Sequence, residues 1–272
     1  MKPSYVTFPD QRQMECPSRE EALAVYDDCQ AYFQQGVQLQ PGATVIDGGA
    51  HIGVFAGRVA TLCQGHVTIY AFEPMPAIAA MLRRNVSGMV PATIHVYECG
   101  LGSQNGTLEF AYHPETPMLS SAFPEETAAE YVKLRETLIR NASQPNPPSR
   151  LKPLRVMPEF LRRWVLDQTL RPHFKYDHVL CPVRRLADVI TEATIPMVDL
   201  LKVNVEKSEE AVLTGLGDHW AIIQQAVIEV HDINGRLQRI KTMLREQAFG
   251  TIRVTQSDIM KGSEVYLVYA LR

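Results

Sequence analysis

The sequence predicts an α/β protein built on a seven-stranded, mostly parallel sheet with helices on both faces. Three observations carry that expectation. Short β-branched runs alternate with helical patterns in both the first and the last third of the chain, as crossover connections between parallel strands require. Two of those runs end in an acid at a turn, VIDGG at 45–49 and AFEP at 71–74. The final pair of runs, TIRVTQ and GSEVYLVYALR, is joined by turn residues alone and reads as an antiparallel hairpin.

Taken in order, residues 19–35 place Ala22, Val25, Cys29 and Phe33 near helical spacing behind Ser18, an N-cap with Glu21 three positions on. After Pro41-Gly42, residues 44–63 read as strand, glycine-rich turn and helix. A second strand is expected over 67–74, a helix over 76–86 and a third strand over 94–102. A later block repeats the alternation: strand at 199–206, helix at 209–216, strand at 226–232, and a helix over 235–249 ended by Gly250. Between the halves, residues 112–178 hold two helical patterns, 125–141 and 157–170, around the proline-containing ASQPNPPSR. So long a stretch is not a bare loop in a compact domain and is expected to form a helical lid, with a flexible bridge at 143–150. The expected organisation is therefore an N-terminal helical segment (1–40), a first half of the core (41–111), the lid insertion (112–178) and a second half of the core (179–272).

Composition narrows the class. With 272 residues, 46% hydrophobic and 21% charged, the chain suits one large globular domain with an elaboration. A net charge of −3 supplies no global basic field, which argues against a nucleic-acid partner. Cys16, Cys29, Cys63, Cys99 and Cys181 are scattered and never spaced as C-x-x-C, so neither a disulfide framework nor a structural zinc is indicated and a reducing cytoplasm is the expected compartment. The first residues lack an apolar signal run, and no apolar stretch has the length of roughly 18 residues that a membrane helix needs.

The chemistry concentrates at strand ends. In VIDGGAHIG (45–53) an apolar strand ends in Asp47 and a turn containing Gly48, Gly49, Ala50, His51 and Gly53, where glycine lets backbone approach a ligand closely. His51 stands where the dinucleotide fingerprint has its second glycine, which disfavours a nicotinamide enzyme. Glu73, followed by Pro74, ends the next strand and is placed to accept two ribose hydroxyl hydrogen bonds; the alternative is a cap for a helix starting at Pro74 or Met75. Period-2 alternation puts Lys202, Asn204 and Glu206 on one face of their strand, and Glu229 and His231 on one face of the next. An isolated strand-end histidine, read without further context, is more often structural than chemical. Arg162-Arg163 and Arg184-Arg185 read as solvated faces, or as docking points for an acidic carrier protein.

The set VIDGGAHIGVFA, IYAFEP, CGLGS, DLLKVNVEKSEEAVLTGL and VIEVHDINGR resembles the FkbM-type methyltransferases, and more narrowly the O-methyltransferases of polyketide and mixed polyketide/nonribosomal peptide assembly lines. The likeness spans roughly residues 20–110 and 180–270. It implies a Rossmann-like class I methyltransferase fold with S-adenosylmethionine as cofactor. The DGGAHIG turn would wrap the methionine part, Glu73 would bind ribose, and Cys99, Gly100 and Leu101 would approach adenine. Asn204 and Glu206 would line the transfer end, and His231 would be the general base. Its carboxylate partner is expected to be Glu206 or Glu229, with Glu206 favoured as the strand-end residue. The family commonly has Asp at the position of Asn204, and many members have Gly at that of Lys207. The missing charge at 204 argues against a metal-dependent mechanism, since hard cations prefer carboxylates, and no metal ligands are assigned.

The expected activity is methylation of a hydroxyl or enol oxygen of a polyketide-type intermediate, free or tethered to an acyl carrier protein. The alternatives are O-methylation of a free small molecule or sugar, and a catalytically silent docking module that retains the cofactor. Neither the acceptor nor the oligomeric state is legible.

Overall fold

The structure is a computed structural model that describes residues 4–170 and 175–272. A short antiparallel pair, β1 (Ser4–Thr7) and β2 (Gln13–Cys16), precedes α1 (Arg19–Cys29). The first half of the core follows as β3 (Ala43–Gly48), α2 (Val54–Leu62), β4 (Val67–Phe72), α3 (Pro76–Val86) and β5 (Thr93–Tyr97). Next come β6 (Gly100–Gly102), β7 (Gly106–Tyr112) and the insertion helices α4 (Pro124–Ala142), α5 (Lys152–Arg155) and α6 (Glu159–Leu170). The chain returns as β8 (Asp177–Arg185), α7 (Leu186–Glu192), β9 (Leu200–Val203), α8 (Glu209–Thr214), β10 (Gln225–His231), α9 (Arg236–Glu246), β11 (Thr251–Thr255) and β12 (Val265–Leu271).

Seven strands form one sheet in the order β11-β12-β10-β9-β3-β4-β5. β5, β4, β3, β9 and β10 run parallel, whereas β12 is antiparallel to both of its neighbours. The chain winds outward from β3 to β5 and then returns to lay β9 on the other side of β3, so the order reverses there. A reversal opens a crevice at the carboxyl ends of the strands, where open α/β sheets bind ligands. The central strands are apolar at successive positions because both faces are covered: Val45, Leu200 and Val227 pack with α1, α2 and α3, while Ile46, Leu201 and Ile228 pack with α7, α8 and α9.

Three features lay outside the sequence reading. The run 94–102 is not one strand. It breaks after Tyr97, and Gly100–Gly102 joins a separate small sheet with β7 and β8. The β1–β2 pair and α7 carry patterns too short to register as periodic. The helix expected to end at Gly250 closes earlier, with Ala248 in the left-handed region (φ 60) and Phe249 N donating to Leu244 O.

The insertion leaves the small sheet at Tyr112 and re-enters at Asp177, two residues paired across β7 and β8. It has its own small core of Leu138, Ile139, Ala142, Leu151, Leu154 and Leu166. It is stitched to the β11–β12 connection: Asn141 Nδ2 donates to Ile259 O (3.0 Å) and Lys261 O (3.1 Å), Arg140 donates to Gly262 O, and Lys133 pairs with Glu264 at 2.7 Å. Among the described residues no helix is long and apolar enough to cross a membrane, and all five cysteines are buried thiols.

Asn85 ties the N-terminal pair to the core. Its Oδ1 accepts from Glu15 N (2.8 Å), and its Nδ2 donates to Glu15 O and Ile52 O, both at 2.9 Å. Asn85→Ala leaves these backbone groups without their partner and is expected to lower stability by about 1–3 kcal/mol. Urea denaturation with unchanged slope would read that loss; a midpoint equal to that of the wild type would contradict it.

Candidate functional site

The crevice between β3, β4 and β9 is shaped first by the turn after β3. Gly49 (φ 79) and His51 (φ 50) are left-handed, and Gly49 N and Ala50 N donate to Phe72 O at the end of β4. Glycine is required at 49: a Cβ there would lie 1.7 Å from Asn204 O. Glu73 fastens the turn, its Oε2 accepting from His51 N (2.9 Å) and its Oε1 from Met75 N (3.0 Å). Glu73 thus serves the backbone around the start of α3 while bordering the cleft. Burial pushes its carboxyl up, against the charge of His51 and the two backbone donors.

Lys202 lies beneath the turn, 3% exposed. Its Nζ donates to Asp47 Oδ1 (3.0 Å), Gly48 O (3.3 Å) and Gly49 O (2.7 Å), and stands 5.7 Å and 5.6 Å from the ring centres of Tyr32 and Phe55. Burial pushes the Asp47 carboxyl up and Lys202 opposes it.

Gly49, Ala50, His51, Glu73, Pro74, Gly100, Leu101, Asn204, Glu206 and Glu229 line the cleft, with Phe72 and Phe110 as apolar walls. Four of the residues read from the sequence as cofactor ligands do not border it. Asp47 is spent on Lys202, Gly48 packs against Leu101, Gly53 is the N-cap of α2 against Leu82, and Cys99 is buried, its thiol pushed up to about 11 by desolvation. His51 contributes its backbone N–H, as well as an imidazole whose Nε2 is 3.4 Å from Glu21 Oε1.

The face expected for 202–206 is only partly a strand face, because β9 stops at Val203. Beyond it Glu206 (φ 44) and Lys207 (φ 78) are both left-handed, a conformation that costs side-chain-bearing residues about 1–3 kcal/mol and clusters at functional sites. Lys207 thus occupies a backbone conformation that favours glycine. Asn204 reaches β10 only through Tyr32: its Nδ2 donates to Tyr32 Oη (2.9 Å), and Tyr32 Oη donates to Glu229 Oε2 at 3.5 Å.

His231 borders a second, larger cavity of about 310 Å3, roofed by Lys133 and Leu134 of α4 and by residues 257–264 of the β11–β12 connection. Asp28, Met118, Glu206 and Glu229 border both cavities, so the two meet at these side chains. The carboxylate at His231 Nδ1 is that of Glu209, at 2.8 Å; Glu206, the partner favoured from the sequence, instead lies 3.4 Å from Nε2. Glu209 is fully buried and also accepts from Lys207 N and Arg236 Nη1. Burial would raise its carboxyl, but His231 and Arg236 together hold it below the usual range. An ionised carboxylate only accepts, so Nδ1 carries the proton and Nε2 the lone pair of the neutral ring. Sequence reasoning passed over Glu209 because a first-turn acid on α8 reads as a helix-dipole complement. It passed over Tyr32, Asp28 and Met118 because nothing local marks them.

Glu206, Glu229 and His231 bring one ligand atom each to within 4.8 Å of one another, a grouping able to hold a metal ion, although the sequence reading assigned none. The donor set is mixed, and Glu209 and Lys207 already engage two of its members, at His231 Nδ1 and Glu206 Oε2.

The family model described as the methyltransferase FkbM domain matches residues 47–255. Among curated proteins, 31-O-demethyl-FK506 methyltransferase FkbM of Streptomyces tacrolimicus is 33% identical over 247 residues, covering 89% of this chain and 85% of its own. AMB antimetabolite synthetase AmbE of Pseudomonas aeruginosa is 28% identical over 250 residues, 89% of this chain but 11% of AmbE. Methyltransferase sdnD of Sordaria araneosa is 28% identical over 211 residues, with coverages of 77% and 74%. Among solved structures, Aeropyrum pernix fibrillarin with natively bound S-adenosyl-L-methionine aligns over 99% of this chain and 83% of its own, at 10% identity and TM-score 0.44.

Glu229 generates a pH prediction. Burial, with Glu206 and Asp28 adding to it, pushes its carboxyl from 4.5 to about 7 against the pull of His231 and Lys202. The folded protein therefore prefers the protonated acid, and stability present at low pH is lost as pH rises from about 4.5 through about 7. Glu229→Gln removes that loss. Its melting temperature is expected to match the wild type at pH 5 and exceed it by about 2–4 °C at pH 8; equal differences at both pH values would contradict the assignment.

Proposed function

The chain belongs to the FkbM methyltransferase family, and on that premise we propose that it methylates a hydroxyl or enol oxygen of a polyketide-type biosynthetic intermediate, with His231 as general base. Its cofactor is S-adenosylmethionine, which supplies an electrophilic methyl group on a sulfonium sulfur. The residues present fit that ligand: a turn whose backbone only glycine at 49 permits, a carboxylate at the end of β4, and apolar walls for a base. Gly49, Ala50 and His51 would hold the methionine part, Glu73 the ribose, and Phe72, Leu101 and Phe110 the adenine side.

The observation that carries the reading is the placement of His231 in the second cavity between two carboxylates, one of which, Glu206, also borders the donor cleft. An aliphatic hydroxyl does not ionise unaided near neutral pH, so the protein must take its proton as the oxygen becomes nucleophilic. Glu209 fixes the ring with Nε2 as the acceptor of that proton, and both Glu209 and Glu206 stabilise the imidazolium that results. The second cavity, lined by Ala31, Leu119, Leu134, Ile259, Met260 and Leu267, suits an apolar acceptor. Oxygen as the target is supported by the name of the Streptomyces relative. Tethering to a carrier protein is supported by the likeness to an 11% share of a much longer synthetase. The silent-module alternative loses its motive, because Asn204 serves Tyr32 and leaves the base with its carboxylates.

His231→Ala is expected to lower kcat by about 10²–10⁴-fold while calorimetric binding of S-adenosylmethionine stays intact. Glu209→Gln is expected to lower kcat with an unchanged donor Kd, and Glu73→Ala to weaken donor binding itself. Full turnover by His231→Ala on a hydroxylated acceptor would remove the general-base role.

A further inference from the structure

We propose that Asp28, Glu206 and Glu229 form an anionic collar that makes the donor cleft prefer the cationic sulfonium ligand over the neutral thioether left after transfer. The inference rests on the reading of the cleft as the S-adenosylmethionine site. The reacting sulfur must lie where donor and acceptor can meet, and the side chains common to both cavities are those three acids and Met118. Three carboxylates at the one place where a ligand changes charge is the motivating juxtaposition.

The neighbouring cations do not cancel it. Lys202 is 3.0 Å from Asp47 and bound to two carbonyls. Lys207 Nζ is 3.7 Å from Glu206, and His231 is held by Glu209. Arg150 and Lys133 border the second cavity, but each is paired with another acid, Arg150 with Asp27 and Lys133 with Glu264, and Arg150 offsets only part of the charge at Asp28. Glu229 faces Asp28 and Glu206, its Oε2 accepts from Tyr32 Oη, and His231 and Lys202 act on it through space. A carboxylate in a partly desolvated neck attracts a cation more strongly than one in bulk water. The sulfonium and the thioether differ in that charge and in one methyl group, so the collar acts on the difference between them. Loss of the charge on transfer then loosens the spent ligand.

The experiment is calorimetric titration at pH 8 with S-adenosylmethionine, with S-adenosylhomocysteine, and with sinefungin, whose amine supplies a cation in place of the sulfonium. The wild type is expected to bind both cationic ligands about tenfold more tightly than the thioether. In Asp28→Asn/Glu229→Gln the preference is expected to fall to about twofold or less, with the thioether Kd little changed. Asp28 is exposed and Glu229→Gln is isosteric; Asp28→Asn alone is expected to give part of the shift, and melting curves of each variant establish that it is folded. A wild-type preference for the thioether, or an unchanged ratio in the double variant, overturns the collar while leaving the donor site standing. Binding of none of the three ligands overturns both readings.

Discussion

The ion pair of Lys202 and Asp47 is the constraint on which the site depends. A glycine-rich turn has no side chains with which to hold itself, and its carbonyls point inward at the end of a buried strand. One ammonium bonds two of those carbonyls and one oxygen of the carboxylate beneath them, and Lys202, Asp47 and Gly48 are removed from water. Breaking such a buried pair by deleting one partner is far more damaging than the pair's own net contribution, because the remaining charge is stranded. The pair spans adjacent strands, β3 and β9, at register partners Asp47 and Lys202. It therefore locks the switch point of the sheet and the shape of the turn together.

From that lock the rest of the site is built outward. The turn presents its backbone to Glu73, and Glu73 in turn holds the entry to α3. On the other side, Asn204 follows the end of β9, its N–H donates to Gly48 O, and its side chain fixes Tyr32. Glu21 joins three elements: Met118 N donates to its Oε1, which also faces His51, so the approach to the insertion is tied to the donor turn. The two cavities thus meet at shared side chains and are tied together through Glu21.

Much of this was legible in the sequence because it is written in strand periodicity and strand-end acids. The alternation of strands and helices, the glycine turn, Glu73 and the stations of Asn204, Glu206, Glu229 and His231 all follow from patterns of a few consecutive residues. What was not legible is long-range. Glu209 acquires its role only when α8 packs beside β10, Tyr32 only when the turn after α1 closes over β9, and Asp47 looks like a ligand until Lys202 is seen to occupy it. The small sheet of β6, β7 and β8 was missed for a related reason: its strands pair residues 65 to 83 positions apart, and one is three residues long. The end of β9 was overextended because Asn204 and Glu206 continue the alternation, whereas the backbone at Glu206 and Lys207 has already turned left-handed.

The antiparallel strand β12 gives the two halves of the site different histories. β10 pairs with β9 only as far as Ile228, opposite Val203, but with β12 along its whole length, so that His231 lies opposite Val265. The donor turn is secured by neighbours earlier in the chain than β12, whereas the stretch of backbone carrying Glu229 and His231 is flanked by a strand that is made last among the described elements. During synthesis the donor half can assemble while the base still lacks its fixed address. The stretch that carries Glu229 and His231 is therefore fixed on that side only once β12 has joined the sheet.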